Sequence, residues 1–285
     1  MISVFGSSGF VGSRYVSSFP KSSLPIPKGE LSPPSNEILY FISTVTNYNV
    51  LDGDVYLDID TNLFLLMQHL EETKKTYGAD FTFNFISSWF VYGKSSAPAR
   101  EDSYCNPTGF YSITKRSAEQ LLISYCETFG INYRILRLAS VMGRGDKKIS
   151  KRKNAIQYMI KSMCEGNPVD LYEGKVNRDI IHILDCVRAI NLVCKRGEVN
   201  SIYNIGSGIP TSVEEMIYYA SEIIGNPSLI RRVPIPEFHK VVQSDSMWLD
   251  CGKLQNLGYS VKYNSSQIVE DLVDHYSRNK ENKNG

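Results

Sequence analysis

The chain has 285 residues, 42% hydrophobic and 21% charged, and its 31 Lys plus Arg against 30 Asp plus Glu leave a formal net charge of +1. That is the composition of an ordinary globular protein, long enough for one large domain or two modest ones, and the even charge balance offers no footing on a DNA or RNA backbone. Six scattered cysteines (Cys105, Cys126, Cys164, Cys186, Cys194, Cys251) and four scattered histidines form no metal framework, so no bound metal and a cytoplasmic, reducing setting are expected.

Residues 1–6 lack the charged start and long apolar core of a signal peptide, and no run of about 18 apolar residues exists to span a membrane. Ile2–Phe5 reads as a buried strand, and Gly6-Ser7-Ser8-Gly9-Phe10-Val11-Gly12 follows at once. Residues 13–19 then read as a helix stopped by Pro20. Glycines in this strand–turn–helix context hold a pyrophosphate. Gly6 permits the tight turn, Gly9 lets backbone approach the phosphates, and Gly12 lets helix pack on strand, while the helix N-terminus supplies unpaired N–H donors. A turn that merely needs glycines has the same pattern; its place behind the first strand favours the pyrophosphate.

Residues 21–36 are rich in Pro and Ser and too few for a full strand–helix–strand excursion, leaving room for one short strand near residues 24–26. The next strand, residues 38–42, runs into Ser43-Thr44. Residues 60–75 carry an apolar helical face at Leu63, Leu66, Met67 and Leu70, residues 81–86 alternate like a strand, residues 111–129 form a second amphipathic helix, and residues 133–138 a further strand. This alternation predicts an α/β fold, a doubly wound parallel sheet of the Rossmann type with a shortened second-strand region. Beyond residue 143 a basic loop (146–154) precedes helices at 155–165, 184–194 and 212–224 and strands at 180–183 and 201–205. The expected division is a dinucleotide-binding domain over 1–145, to which 180–210 contributes, and a smaller, partly interleaved α/β substrate domain over 146–285. The polar tail, 277–285, is expected to fray.

Three side chains carry the chemistry. Tyr111 and Lys115 lie four residues apart, hence on one helix face. A free tyrosine titrates near ~10, too high for a base at neutral pH, and a lysine cation beside it favours the phenolate. Ser88 ends a strand at the ligand-facing edge of the sheet, where its hydroxyl can hydrogen-bond a substrate oxygen while the tyrosine moves the proton. His182 alternates with apolar residues and reads as a packed structural histidine.

Further segments carry a resemblance. Ile86-Ser87-Ser88-Trp89-Phe90-Val91-Tyr92-Gly93 looks like a serine motif ending in Val-Tyr-Gly, Tyr111 and Lys115 match a Tyr-x-x-x-Lys pair, and Leu136 to Gly143 match the strand after it. Arg178-Asp179-Ile180-Ile181-His182-Ile183-Leu184-Asp185, Tyr203 to Gly208 and Leu249 to Leu254 continue the match. With its G-x-x-G-x-x-G turn, the chain resembles, over nearly its whole length, the extended short-chain dehydrogenase/reductase family. The likeness is to the nucleotide-sugar epimerase and dehydratase branch, of UDP-galactose 4-epimerase type.

The resemblance implies NAD as cofactor, with NADP as the alternative, held by Gly6, Ser8, Gly9, Phe10, Val11, Gly12, Ser43, Tyr111 and Lys115. It implies a nucleotide-diphosphate sugar as substrate, met by Ser88, Trp89, Arg178 and Lys240, with Ser88, Tyr111 and Lys115 catalytic. Glu30 stands near the position of a ribose-binding acid, and neighbouring Lys28 is suited to a 2′-phosphate. A homodimer built on helices 60–75 and 112–129 is also implied, and polysaccharide precursor synthesis is a plausible setting.

Departures narrow the reaction. Trp89 and Phe90 replace the Asp-Glu pair of the dehydratases, and Phe90 also replaces the cysteine of the GDP-fucose synthase type; neither residue transfers a proton. What remains is hydride and proton transfer at the sugar C4. A 4-epimerase is the leading expectation, a 4-ketoreductase of a 6-deoxy sugar the alternative, and a non-enzymatic dinucleotide-binding protein a third reading. Asp60 and Ser140 stand where Asn is usual in the family.

Overall fold

The computed structural model describes residues 1–242 and 245–284. In chain order its strands are β1 (Ile2–Phe5), β2 (Ser23–Pro25), β3 (Glu37–Tyr40), β4 (Thr82–Ser88), β5 (Asn132–Leu138), β6 (Ser140–Met142), β7 (Val169–Tyr172), β8 (Asn177–His182), β9 (Ser201–Ile205), β10 (Pro210–Ser212) and β11 (Ile230–Val233). The helices of six or more residues are α1 (Phe10–Ser18), α2 (Leu65–Tyr77), α3 (Phe110–Phe129), α4 (Ala155–Cys164), α5 (Ile183–Arg196), α6 (Val213–Ile224), α7 (Glu237–Val242) and α8 (Ser265–Asn284).

Six strands form one sheet in the order β2-β1-β3-β4-β5-β9, every pair parallel. The strands alternate between two cores, which is why they read as nearly continuous apolar runs. Val4, Leu39, Ile86, Leu136 and Leu138 face α1 and α5, while Phe5, Ile38, Tyr40, Phe83, Phe85 and Ile135 face α2 and α3. The chain leaves β1 for β2 on one side and returns to β3 on the other. A crevice therefore opens beyond the carboxyl ends of β1 and β3, the place where a doubly wound sheet binds its ligand. The expected shortening is present, since only the three-residue β2 lies outside β1.

A third apolar cluster lies downstream, where Met142, Ile160, Met163, Leu171, Ile180, Met216, Ile217 and Leu272 pack α4, α6 and α8 against two small sheets. These sheets are β10-β8-β6 and β11-β7. Strand β9 and helix α5, between these elements in sequence, belong to the main sheet. The tail expected to fray is helical to Asn284 as part of α8; Gly285 lies outside the described residues. One local correction bears on the site. The helix expected from residue 60 starts earlier, with a turn at Leu57–Ile59, and passes through a π turn at Asp60–Phe64 before α2.

Candidate active site

The glycine turn closes tightly under the crevice. Gly6 has a left-handed φ of +73°, and a Cβ there would lie 3.0 Å from the Phe41 Cβ. A Cβ on Gly12 would come within 2.3 Å of the Gly6 carbonyl oxygen, so α1 can approach β1 only at a residue without a side chain. Helix α1 is capped by Gly9, with no side-chain cap and no acid in its first turn. Its leading amides are thus left for an anion, which suits a dinucleotide pyrophosphate. Ser8 and Gly9 are exposed at the tip, and Phe10 and Val11 pack half-buried on the core. Glu30 spends its carboxylate on its own loop, accepting from the amides of Leu31 at 3.2 Å and Ser32 at 3.1 Å. Gly12→Ala is expected to cost about 1–3 kcal/mol by forced displacement of the turn and to weaken dinucleotide binding; thermal melts with and without added NAD measure both.

Tyr111, in the first turn of α3, is buried against the ends of β3 and β4. Burial, with a smaller contribution from the charge of Asp58, holds its phenol up at about 12 against the lowering effect of Ser88 and Ser43. The structure thus places Ser43 and Ser88 beside Tyr111; the sequence paired Ser88 with Tyr111 and set Ser43 among the cofactor contacts. Phe90 stands edge-on to the Tyr111 ring at 5.8 Å and stacks on Trp89 at 4.1 Å, so one wall of the site is aromatic and without protons to give.

Lys115 is buried one turn further along. Its ammonium donates to the Ile86 carbonyl at 2.8 Å and lies 4.0 Å from the centre of the Phe85 ring. Burial brings it down to about 7, against the pull of Glu119. In this arrangement the lysine is anchored to the sheet beneath the site, and the groups that act on the Tyr111 phenol are Ser88, Ser43 and Asp58. Deeper still, buried Arg137 grips buried Glu119 through Nε at 2.9 Å and Nη2 at 2.8 Å, and Arg116 adds a contact at 2.8 Å. This fixes α3 to β5.

A polar network missed by sequence reasoning lies behind Ser43. The Asn62 carbonyl oxygen accepts from the Ser43 hydroxyl and the Thr44 amide, each at 3.0 Å, and its NH₂ donates to Thr44 Oγ1 at 2.8 Å and Thr114 Oγ1 at 3.0 Å. Thr44 donates in turn to Asp58, which is fully buried. Asp60, the residue set against the family's Asn, is exposed. The π turn beginning at Asp60 changes which side chains face inward, and an i+4 count through it points the wrong way.

At the far end, Arg178 of β8 is buried and reaches the carbonyls of Asn177 at 3.0 Å and Asp245 at 2.6 Å, with its guanidinium over the Trp89 ring at 5.4 Å. Burial brings it down to about 10. Its neighbour Asp179 explains why the later glycine-containing segment matters. Its carboxylate collects the Ser207 amide at 2.7 Å, the Ser207 hydroxyl at 2.8 Å, the Gly208 amide at 3.1 Å and the Leu249 amide at 3.2 Å. A Cβ on Gly206 would lie 2.5 Å from that carboxylate.

A cleft of about 200 Å³ adjoins Arg178, lined by Tyr172, Val213, Met159 and His239 among others. Lys240 is not among its lining residues; it pairs with Glu237 at 2.5 Å on the exposed side of α7. The residue of α7 that reaches the cleft is His239, whose Nε2 meets the hydroxyls of Tyr48 and Tyr172. His182 is buried, stacks on Tyr263 at 4.0 Å and accepts from the Leu184 amide at 3.3 Å as the N-cap of α5, the structural part expected of it. Among the described residues no group of three His, Cys, Asp or Glu could hold a metal ion, and no helix is long and apolar enough to cross a membrane.

Residues 39–206 match the family model described as NAD dependent epimerase/dehydratase family. An uncharacterized UDP-glucose epimerase of Bacillus subtilis is 27% identical over 224 residues, 78% of this chain and 68% of the relative. The GDP-6-deoxy-D-mannose reductase of Pseudomonas aeruginosa is 25% identical over 256 residues, 80% of this chain and 84% of the relative. Among solved structures, the UDP-glucuronic acid 4-epimerase of Bacillus cereus, in complex with UDP-glucuronic acid and NAD, superposes with a TM-score of 0.83 at 22% identity, covering 97% of this chain and 99% of that one.

Proposed function

The chain belongs to the NAD dependent epimerase/dehydratase family, and on that premise we propose that it transfers hydride and proton at C4 of a nucleotide-diphosphate sugar, as a 4-epimerase. The observation that carries this reading is the Tyr111 phenol, buried at the ends of β3 and β4 between the hydroxyls of Ser88 and Ser43. A phenol so placed gives or takes the proton of a sugar oxygen, and Ser88 hydrogen-bonds that same oxygen and holds it. Lys115 anchors the base of α3 and supplies a titratable amine below the tyrosine. The amides that open α1 take the dinucleotide pyrophosphate, and Arg178 takes the diphosphate of the sugar nucleotide. A bound nicotinamide dinucleotide supplies the hydride acceptor and donor.

A second reading, a 4-ketoreductase, draws on the stacked Trp89–Phe90 wall beside Tyr111. Crowding there hinders the half-turn of a keto sugar that epimerisation needs, and an apolar wall suits a 6-deoxy carbon. The exposed apolar side chains Phe64, Ile113 and Leu121, on the π turn and α3, support pairing of two copies through these helices.

Denaturing freshly purified protein and identifying the released nucleotides tests the reading. Under the epimerase reading NAD is recovered at near one per chain, and UDP- or dTDP-hexoses interconvert without added cofactor. An empty site with NAD(P)H consumption on a 4-keto sugar makes it a reductase. A protein that binds neither cofactor sinks both.

A further inference from the structure

We propose that Asn47 is a positioning residue for Tyr111: it caps α3 from outside the helix, and its neighbour Tyr48 fastens that cap to the elements around the Arg178 cleft. The inference rests on the reading of Tyr111 as the proton-transfer group and adds what holds the first turn of its helix in place.

Helix α3 begins at a residue that cannot cap it. An N-cap side chain accepts from an amide two or three residues on, and here the N-cap is Gly109, which has no side chain. The first intrahelical bond runs from the Ile113 amide to the Gly109 carbonyl at 2.8 Å, so the Ser112 amide must find its acceptor elsewhere. Asn47, on the loop after β3, supplies it. Its Oδ1 accepts from the Ser112 amide at 3.2 Å and lies 3.4 Å from the Ser112 hydroxyl, which itself accepts from the Gly109 amide at 3.0 Å. A Cβ on Gly109 would run into the Asn47 side chain, so the missing side chain and the borrowed one claim the same space. Asn47 is 5% exposed, and a buried amide is costly unless it is hydrogen-bonded. Tyr111 lies between Gly109 and Ser112, inside the turn that these contacts fix.

The same loop is fastened on its other side. Thr46 Oγ1 donates to the Arg152 carbonyl at 2.6 Å and accepts from the Tyr48 amide at 3.2 Å, and the Arg152 guanidinium lies 5.3 Å from the centre of the Tyr48 ring. That ring packs on Phe238 of α7 at 4.9 Å, and its hydroxyl meets His239 Nε2. His239 lines the cleft together with Arg178 and Tyr172. Helix α7 also holds the chain just ahead of α3, because Thr108 Oγ1 donates to the Val241 carbonyl at 2.8 Å. Thus α7 grips both the residue next to the cap and the residue before the capped helix. A proton-transfer group displaced by about 1 Å can lose on the order of 10²-fold in rate, so a turn clamped from two sides is kept where Tyr111 can work.

Asn47→Ala removes the acceptor. Hydrogen exchange at the Ser112 amide is expected to quicken on the order of ten-fold, as for the loss of one hydrogen bond. The kcat on UDP- or dTDP-hexoses is expected to fall on the order of ten-fold or more, with KM for the sugar nucleotide near wild type. Asn47→Asp keeps an acceptor and sets a carboxylate at a helix N-terminus, where it is favoured, so exchange and kcat are both expected to return toward wild type. Tyr48→Phe keeps the ring packing and loses the bond to His239. It is expected to move both values in the same directions by less, and it serves in place of Asn47→Ala if that variant does not fold. A cap that only stabilises the helix would quicken exchange and leave the kcat of the folded protein alone. Exchange is read without a sugar, so it reports the cap whatever the substrate. Undiminished turnover in Tyr111→Phe would remove the proton-transfer reading and leave the exchange result standing. Wild-type exchange at Ser112 in Asn47→Ala, or faster exchange with kcat unchanged, would overturn the proposal.

Discussion

Tyr111→Phe is expected to lower turnover by on the order of 10²–10⁴-fold, the span that a positioned general acid–base group contributes. The ring stays, and with it the edge-on contact to Phe90 and the packing of α3 on β4. What disappears is the hydroxyl between Ser88 and Ser43, so no side chain at that point can exchange a proton with the substrate oxygen. Loss of one buried hydroxyl changes stability by only about 1 kcal/mol in either direction. Affinity for NAD and for a sugar nucleotide is therefore expected to be near wild type. Steady-state rates, together with equilibrium binding of both ligands, check the two halves; wild-type turnover in the variant rules out the proposed proton path.

The second large effect is on stability. Arg137→Met is expected to destabilise the fold by about 3 kcal/mol or more, because removing one partner leaves the Glu119 carboxylate buried with too few donors. Arg116 still reaches Glu119 but is partly exposed, which keeps the loss toward the lower end. For a chain of this length that loss lowers Tm by roughly 6 °C or more. The pH dependence has a defined sign. Burial raises the Glu119 pKa, but Arg137 and its other donors outweigh burial and hold it below the ordinary carboxylate range. The ion pair therefore stabilises above the unfolded carboxylate pKa and is lost as pH falls through the lower folded value. The gap in Tm between wild type and variant is expected to narrow in acid, which melts at neutral and acid pH measure.

The parallel sheet was legible because both of its faces are covered, so each strand carries an apolar run that no other element imitates at that length. The glycine turn was legible because Gly6 and Gly12 are demanded by backbone contacts. The site was partly legible. Ser43, Ser88 and Tyr111 sit at strand and helix ends that the alternation locates, and the structure brings them together. Asp58 and Asn62 were not, because the π turn breaks the 3.6-residue count on which a helical face is read. One signal was present, since two short polar side chains lie close to the apolar stripe of the following helix. His239 escaped for a different reason: α7 has six residues and no apolar period, so sequence could not tell His239 from Lys240 as the one that faces the cleft. The short strands β6, β7, β10 and β11 have three or four residues each, too few for alternation to register.

The main sheet is open rather than closed into a barrel, and an open sheet has two margins at which a stranger's strand could add. On one side β2 is three residues long and ends in Pro25, which has no amide hydrogen to donate. On the other side β9 is occupied by side chains. Glu101 accepts from the Asn204 amide at 2.9 Å, and Lys253 donates to the Ile202 carbonyl at 2.9 Å. One margin is blunted by proline and the other by a pair of opposite charges, so the same parallel sheet that carries the crevice resists edge-to-edge aggregation while the chain stays folded.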